Sequence, residues 1–232
     1  MQNHTHNHTV LDTDKIGRLL MKLTVPLFFG SFIQAIYTIT DTIFVGHYVG
    51  RDGLAALSII MPVQLMTMGA GMMISLGGAS LISRLLGRGE QQNAERALGN
   101  SILFALIFSA ILSAAVIGFM SFWLELIGSS ANVMPYARDY LTITLSGSVF
   151  NVTSVVLLSM ARAEGNARVS MVSLMIQSVL NIILDAVFMI PLKMGISGAA
   201  AATVVSQAIA VGYMLYFYLG GDSYLKLRWR NF

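Results

Sequence analysis

Six long runs of the chain carry no charged side chain, and loops that hold most of the charges separate them. The runs cover residues 23–40, 54–83, 97–124, 140–161, 169–184 and 199–221. With the adjoining Asp41 and Asp185, and a last run that begins near Gly195, each reaches the ~20 residues with which an α-helix crosses ~30 Å of hydrocarbon. Transmembrane strands would be shorter and alternate in polarity. The pattern therefore predicts an all-α, polytopic membrane protein with six transmembrane helices.

The boundaries of these helices follow from the flanking polar residues. We place the predicted helices at 23–49, 54–82, 97–122, 138–160, 168–190 and 196–219. The chain then divides into a cytoplasmic tail at 1–22, a six-helix unit at 23–221, and a second tail or the start of a linker at 222–232. Pro26 lies early in the first helix, where a proline frees a backbone carbonyl and permits a kink, so it is a candidate hinge.

Composition narrows the class of protein. The chain is 56% hydrophobic and only 11% charged, whereas soluble domains average about 25% charged residues. The absence of cysteine excludes disulfides, thiolate metal sites and cysteine nucleophiles. The first apolar run is too long for the core of a signal peptide. The net charge of +3 gives no reason to expect a nucleic-acid partner.

The positions of the basic residues predict the orientation. If the N-terminus is cytoplasmic, the inner segments hold Lys15, Arg18, Lys22, Arg84, Arg88, Arg96, Arg162, Arg168, Lys226, Arg228 and Arg230. Only Arg51, Arg138 and Lys193 then lie outside. This bias obeys the positive-inside rule and predicts that both termini are cytoplasmic. Near the predicted helix ends, Trp123, Tyr136, Tyr140 and Trp229 are expected in the interfacial aromatic belts.

Asp41 and Asp185 are the unusual residues of this pattern, because each adjoins or extends an apolar run that contains no lysine or arginine. An acidic side chain at the centre of a bilayer costs roughly 2.5–3.5 kcal/mol on insertion scales, so it normally has a partner or a wet cavity. The chain offers no cationic partner within these runs. We therefore expect a partner that binds reversibly: a proton, a metal cation or a positively charged substrate.

The two acids share one depth. Asp41 lies nine residues before Gly50, and Asp185 lies seven residues before Leu192. At helical rise these are about 13 Å and about 10 Å from the outer end of the helices. Thr203 lies about 12 Å from the same side on the last helix, which runs back inward. Three polar groups are therefore expected at one level in the outer half of the membrane.

Each of these groups belongs to a polar stripe at helical spacing. The stripes are Gln34, Thr38 and Asp41; Gln177, Asn181 and Asp185; and Thr203 and Gln207. Side chains three or four residues apart share one helix face, and a polar face in a membrane helix should turn to protein or water. Facing stripes would line a hydrated cavity with oxygen ligands, where H⁺ can exchange and Na⁺ can bind. The simpler interpretation is that each aspartate only hydrogen-bonds a neighbouring helix.

At these residues the chain resembles the multidrug and toxic compound extrusion (MATE) family of cation-coupled antiporters. The resemblance is carried by the segments 34–46 (QAIYTITDTIFVG), 162–166 (RAEGN), 181–185 (NIILD) and 195–207 (GISGAAAATVVSQ). It extends over nearly the whole chain. It implies a fold of twelve helices in two six-helix lobes, of which this chain is similar to the N-terminal lobe.

The resemblance also implies a function. The family's N-terminal lobe often holds a cation site, here Asp41, Asn181, Asp185 and Thr203 with Gln34 nearby, whose H⁺ or Na⁺ is coupled to expulsion of cationic aromatic drugs. The implied protein is not an enzyme, needs no cofactor besides the coupling ion, and lies in the cell (plasma or inner) membrane. Its expected partners are the lipid bilayer, the drugs, and a second six-helix lobe, supplied by a C-terminal half or a paired chain.

Three alternatives compete with this interpretation. An intramembrane aspartyl protease would be expected to show Tyr-Asp and Gly-x-Gly-Asp contexts, but Asp41 follows Thr40 and Asp185 follows Leu184. A related lipid-linked oligosaccharide flippase would be expected to hold basic residues within the membrane for phosphate recognition, and the apolar runs contain none. A half-length subunit that does not transport is the third alternative, because the chain reaches only the point where the family's inter-lobe linker begins.

Overall fold

The computed structural model describes residues 16–220 and 223–227, with the backbone alone at 16–20, 22 and 23. In this part of the chain the regular elements are eight α-helices. They are α1 (Ile16–Tyr48), α2 (Arg51–Gly87), α3 (Gln91–Gly118), α4 (Met120–Ile127), α5 (Met134–Ser146), α6 (Ser148–Ala163), α7 (Ala167–Met189) and α8 (Ile196–Gly220). The predicted tail at 1–22 overlaps α1, and its first 15 residues lie outside the described part, as do 221–222 and 228–232.

Five of these helices are long and apolar enough to cross a membrane, judged by length and composition. They are α1, α2, α3, α7 and α8. Helices α5 and α6 meet the same criterion when they are taken together as one bent span. The all-helical class is therefore confirmed, with five apolar candidate spans, or six if the bent pair α5–α6 forms one span.

The predicted third and fourth helices are each interrupted. The third ends at Gly118, and α4 begins one residue beyond Phe119. The fourth is broken at Gly147, where α5 and α6 meet at 52°. At the second break the hydroxyl groups of Ser113 on α3 and Ser148 on α6 share a buried hydrogen bond. These two hydroxyl groups thus satisfy each other inside the bundle, which lowers the cost of placing them in a membrane interior.

Two hydrophobic clusters fill the two ends of the bundle. We call the end with the α2–α3 and α6–α7 turns the basic end, because Arg84, Arg88, Arg96, Arg162 and Arg168 lie there. Its cluster includes Leu98, Leu157 and Tyr218. The cluster at the opposite end includes Ile60 and Leu141. Helix α7 packs mainly against α1 and α8, and α2 packs against α3 and α6.

Helix α1 is attached to the bundle chiefly through α7. The two helices approach closely at Gly30, where an added Cβ atom would lie 2.9 Å from Cδ1 of Leu174. Pro26 is inside α1, and the helix continues through it. Because a proline has no amide hydrogen, the carbonyl of residue 22 lacks its usual helical partner. The contact with α7 brings the half of α1 that carries Asp41 against the half of α7 that carries Asp185.

Candidate ion-binding site

Asp41 on α1 and Asp185 on α7 face each other near the hydrophobic cluster that lies opposite the basic end of the bundle. Asp185 is fully buried, with 0% of its surface exposed, and Asp41 is half-buried. The two carboxyl groups are close enough to interact electrostatically. In each, the Oδ1 atom is buried and has no hydrogen-bond partner among the described residues. A buried oxygen without a donor is costly, so both atoms are available to a proton or a cation.

Asn181 and Thr203 connect α7 to α8 beside the acids. The amide nitrogen of Asn181, which is buried, lies 3.3 Å from the hydroxyl oxygen of Thr203. With the amide turned over, its nitrogen donates to Oδ2 of Asp185 at 3.2 Å, and its oxygen accepts from the Thr203 hydroxyl at 3.3 Å. We assign the second orientation, because an ionised carboxylate only accepts hydrogen bonds. Asn181 then bridges the acid and the hydroxyl group.

Two tyrosines and a glutamine complete the cluster, and none of the three was predicted to belong to it. Tyr37 lies one turn before Asp41 on α1 and interacts with both aspartates. Tyr140 on α5 is 3% exposed and lies near Asp41 and Tyr37, within hydrogen-bonding reach of Thr203 and of Gln64 on α2. Tyr140 was expected in an interfacial belt; instead the fold buries it.

The other predicted cavity residues are distributed unevenly. Gln34 and Thr38 are exposed on α1, and the Thr38 hydroxyl donates to the Gln34 backbone carbonyl at 3.0 Å. Gln177 and Gln207 are buried, at 9% and 6% exposure. The structure therefore brings Asp41, Asp185, Asn181 and Thr203 together. The four remaining residues do not share one surface: two are exposed and two are enclosed.

Small residues allow α8 to come close enough to supply Thr203. Gly198, Ala199, Ala200 and Ala202 are buried in the first turns of α8, and small side chains let membrane helices approach closely. Val204, the residue after Thr203, packs against the helix break at Gly147. Helix α8 is thus held between α7 and α5, and the Thr203 hydroxyl lies beside the acidic cluster.

The donor set suits a proton or a hard cation. Among the described residues no three His, Cys, Asp or Glu side chains come together as a metal site. The cluster instead offers two carboxylates with amide and hydroxyl oxygens, ligands that alkali and alkaline-earth cations accept. Two carboxylates close together in an apolar bundle also repel each other unless a proton or cation neutralises at least one of them.

Comparisons with known proteins agree on the family. The MatE family model matches residues 26–187. The multidrug export protein MepA of Staphylococcus haemolyticus is 28% identical over 207 residues, which cover 89% of this chain and 46% of that protein.

Solved structures give the same result. One shows the outward-facing conformation of a multidrug resistance MATE family transporter of the MOP superfamily; it covers 100% of this chain and 51% of its own, with 25% identity and a TM-score of 0.91. A second is a MOP superfamily transporter from Pyrococcus furiosus, described by a reverse polarity of its binding pocket that suggests a different function. It matches at 25% identity with a TM-score of 0.91, and the match covers 100% of this chain and 51% of its own.

The chain belongs to the MatE family, the family that the resemblance indicated. It spans about half the length of the curated relatives that it matches. Those relatives are transporters by name, not enzymes.

Proposed function

We propose that the chain is the N-terminal six-helix lobe of a cation-coupled multidrug efflux antiporter in the cell membrane, with both termini cytoplasmic. One observation carries the proposal. Asp41 and Asp185, from separate helices, are adjacent in the apolar bundle, and each has a buried oxygen without a partner among the described residues. The apolar runs contain no lysine or arginine to neutralise them.

The coupling ion in this proposal is H⁺ or Na⁺, bound by Asp41 and Asp185 with oxygens of Asn181 and Thr203. Binding removes the repulsion between the carboxylates and lets α1 and α7 stay close. Loss of the ion favours their separation. An ion can drive a conformational change only through such a difference in affinity between two states.

Drug binding would use the space next to this cluster. Gln34 and Thr38 are exposed on α1 and would line a cavity between this lobe and a second six-helix unit. Gln177 and Gln207 are enclosed and would join that cavity after α1 moves away from α7. Pro26, with its interrupted hydrogen-bond ladder, is the proposed hinge for this movement. Alternating access of this kind needs two units that move against each other.

Ion binding by the chain alone tests the proposal without requiring transport. We would measure uptake of radioactive sodium by equilibrium dialysis of the purified chain in detergent, and proton release on adding sodium. Asp41→Asn and Asp185→Asn should each abolish saturable ion binding. Asp52→Asn is the matched control, because Asp52 is exposed in the first turn of α2. Saturable binding equal to the parent's in both variants would refute the site.

The flippase alternative makes a different prediction. Recognition of a lipid-linked diphosphate would call for basic side chains at membrane depth. The apolar runs offer acids and amides instead. Binding of an isoprenoid diphosphate, unaffected by the two aspartate substitutions, would favour that alternative over the antiporter.

A further inference from the structure

The segment that follows α8 folds back onto the basic end of the bundle. Residues 223–227 are not helical, yet two of their five side chains are almost inaccessible: Ser223 is 5% exposed and Leu225 is 0% exposed. The groups that hold this segment come from the first turns of α3 and from the α6–α7 turn. Neither the charge pattern nor the proposed ion site involves them.

Glu164, at the end of α6, binds the first part of the segment. Its Oε2 atom accepts hydrogen bonds from the Ser223 hydroxyl at 2.7 Å and from the Leu225 backbone amide at 3.3 Å. Its Oε1 atom accepts from the side-chain amide of Asn166 at 3.4 Å. Burial raises the pKa of Glu164, while these three donors oppose that rise because they stabilise the carboxylate.

Glu95, in the second turn of α3, binds the next residue. Only 8% of its surface is exposed. Its Oε1 atom accepts from the Lys226 backbone amide at 3.4 Å and from the side-chain amide of Gln91 at 3.4 Å. The same Gln91 nitrogen donates to the Tyr224 carbonyl at 2.9 Å. Consecutive residues of the segment are therefore bound through their backbones, by α3 and by the turn that follows α6.

Apolar contacts fix the same segment. Leu225 belongs to the hydrophobic cluster of the basic end, and Leu227 packs against it. The Leu227 amide donates to the Tyr218 carbonyl in the last turns of α8 at 3.5 Å. The Tyr218 hydroxyl in turn donates to the Leu157 carbonyl of α6 at 3.3 Å. The chain beyond α8 is thus connected to α3, α6 and α8 at once.

Buried carboxylates are tolerated when hydrogen-bond donors satisfy them. Here backbone amides of residues 225 and 226 are among those donors, so without the segment each glutamate would lose a partner. We propose that Glu95 and Glu164 form a peptide-binding site whose occupant is residues 223–227, a latch that fixes the point at which the chain leaves the bundle.

The latch sets a length. From Gly220 to Leu227 the chain advances seven residues, which would reach about 23 Å if extended at about 3.3 Å per residue. While the latch is closed, this length is not available to any part of the chain beyond Leu227. The proposed function places a second six-helix unit after this segment. If that proposal holds, the latch limits how far the two units can separate at the basic end.

Hydrogen–deuterium exchange of the purified chain tests the latch without any transport assay. In the parent, a peptide covering 223–227 should be protected at Leu225 and Lys226. In the Glu95→Ala/Glu164→Ala variant, these amides should exchange about tenfold faster or more, because local opening sets their exchange rate. Glu164→Gln keeps an acceptor oxygen and should retain most of the protection. Glu125→Ala, an exposed glutamate on α4, is the matched control and should behave as the parent.

Peptides of α3 and α7, followed in the same experiment, report whether the bundle stays folded. If the double alanine variant unfolds, Ser223→Ala/Leu225→Ser weakens the latch from the side of the segment and should raise exchange at Lys226 in a folded bundle. Three results would overturn the latch: fast exchange at 223–227 in the parent, unchanged protection in the variants that remove its contacts, or equal loss in Glu125→Ala. None of these bears on ion binding at Asp41 and Asp185, so the two proposals fail separately.

Discussion

Gly147 and Val204 meet where the bend between α5 and α6 touches α8. A Cβ atom on Gly147 would lie 2.4 Å from Cγ1 of Val204. Since Val204 adjoins Thr203, this contact fixes how deeply α8 enters the cluster. Gly147→Ala should therefore push α8 outward and destabilise the chain by about 1–3 kcal/mol, the usual cost of overpacking. A thermal unfolding curve in detergent measures the effect as a lower Tm.

The control for this substitution is Gly69→Ala on α2. An added Cβ atom there meets nothing within 4 Å. Alanine is also the better helix former, by up to about 1 kcal/mol in a helix interior. The Tm of the Gly69→Ala variant should equal or exceed the Tm of the parent. If Gly147→Ala behaved in the same way, the close approach at the bend would have no energetic consequence.

The Thr203 hydroxyl should matter for ion affinity more than for folding. It shares a hydrogen bond with Asn181, and Tyr140 lies within reach of it. Thr203→Val keeps the shape and removes the oxygen, so we expect about tenfold weaker sodium binding, or about 1.4 kcal/mol. Thr203→Ser keeps the oxygen and should bind as the parent does. Equal affinity in both variants, measured by equilibrium dialysis, would remove Thr203 from the proposed ligand set.

Depth along each helix predicted that Asp41, Asp185 and Thr203 lie at one level, but whether their polar faces meet was left open. Helical rise converts residue number into distance, and charge-free runs define where each helix starts. The same reasoning could not find Tyr140, because a tyrosine near the end of a run is equally compatible with an interfacial belt. In the structure Tyr140 packs in a hydrophobic cluster that includes residues of α2 and α8, and a local sequence pattern does not show which helices will surround a side chain.

Glu95 was not predicted as a functional residue, and Glu164 appeared only as part of the segment 162–166 that carries the resemblance, with no role assigned to it. Both lie outside the charge-free runs, where an acidic residue is expected on a solvated surface. Only contacts between residues 59 or more positions apart, such as Ser223 with Glu164, show that Glu95 is buried and Glu164 partly buried. Local patterns carry no information on such contacts. The start of α1 at Ile16 was missed similarly: hydropathy marks where a helix enters the membrane, not where it begins.

Single-cysteine labelling should establish the orientation. The chain has no native cysteine, so an introduced cysteine is the only thiol in the chain that can react with a labelling reagent. Cysteines at Asp52, Asn132 and Met194, all exposed, should react with an impermeant reagent added to intact cells. Cysteines at Gln92 and Arg168, exposed at the basic end, should react only after the membrane is permeabilised, because basic segments stay inside. The reverse pattern would contradict the assignment of cytoplasmic termini.

The choice of inner positions depends on the structure. Ser223 would be a natural candidate from its place after the last helix, but it is 5% exposed and bonded to Glu164. A cysteine there could stay unreactive on either side of the membrane. Gln92 and Arg168 avoid this ambiguity because both are exposed. If a cysteine at either position fails to react before permeabilisation, the membrane has blocked the reagent, and burial in the protein is not the cause.

Efflux by residues 1–232 alone tests whether this chain is sufficient for transport. Alternating access requires two units that rock against each other, and this chain spans about half of its curated relatives. We therefore expect the purified chain to insert into liposomes without transporting a cationic dye under a proton or sodium gradient. A parallel homodimer is geometrically allowed, because six spans return the chain to its starting side and an identical copy would insert in the same orientation. It would set two Asp41/Asp185 clusters around one axis. Gradient-driven dye transport with no other polypeptide, lost in Asp185→Asn, would show that paired copies form a complete transporter and would overturn the requirement for a second, different lobe.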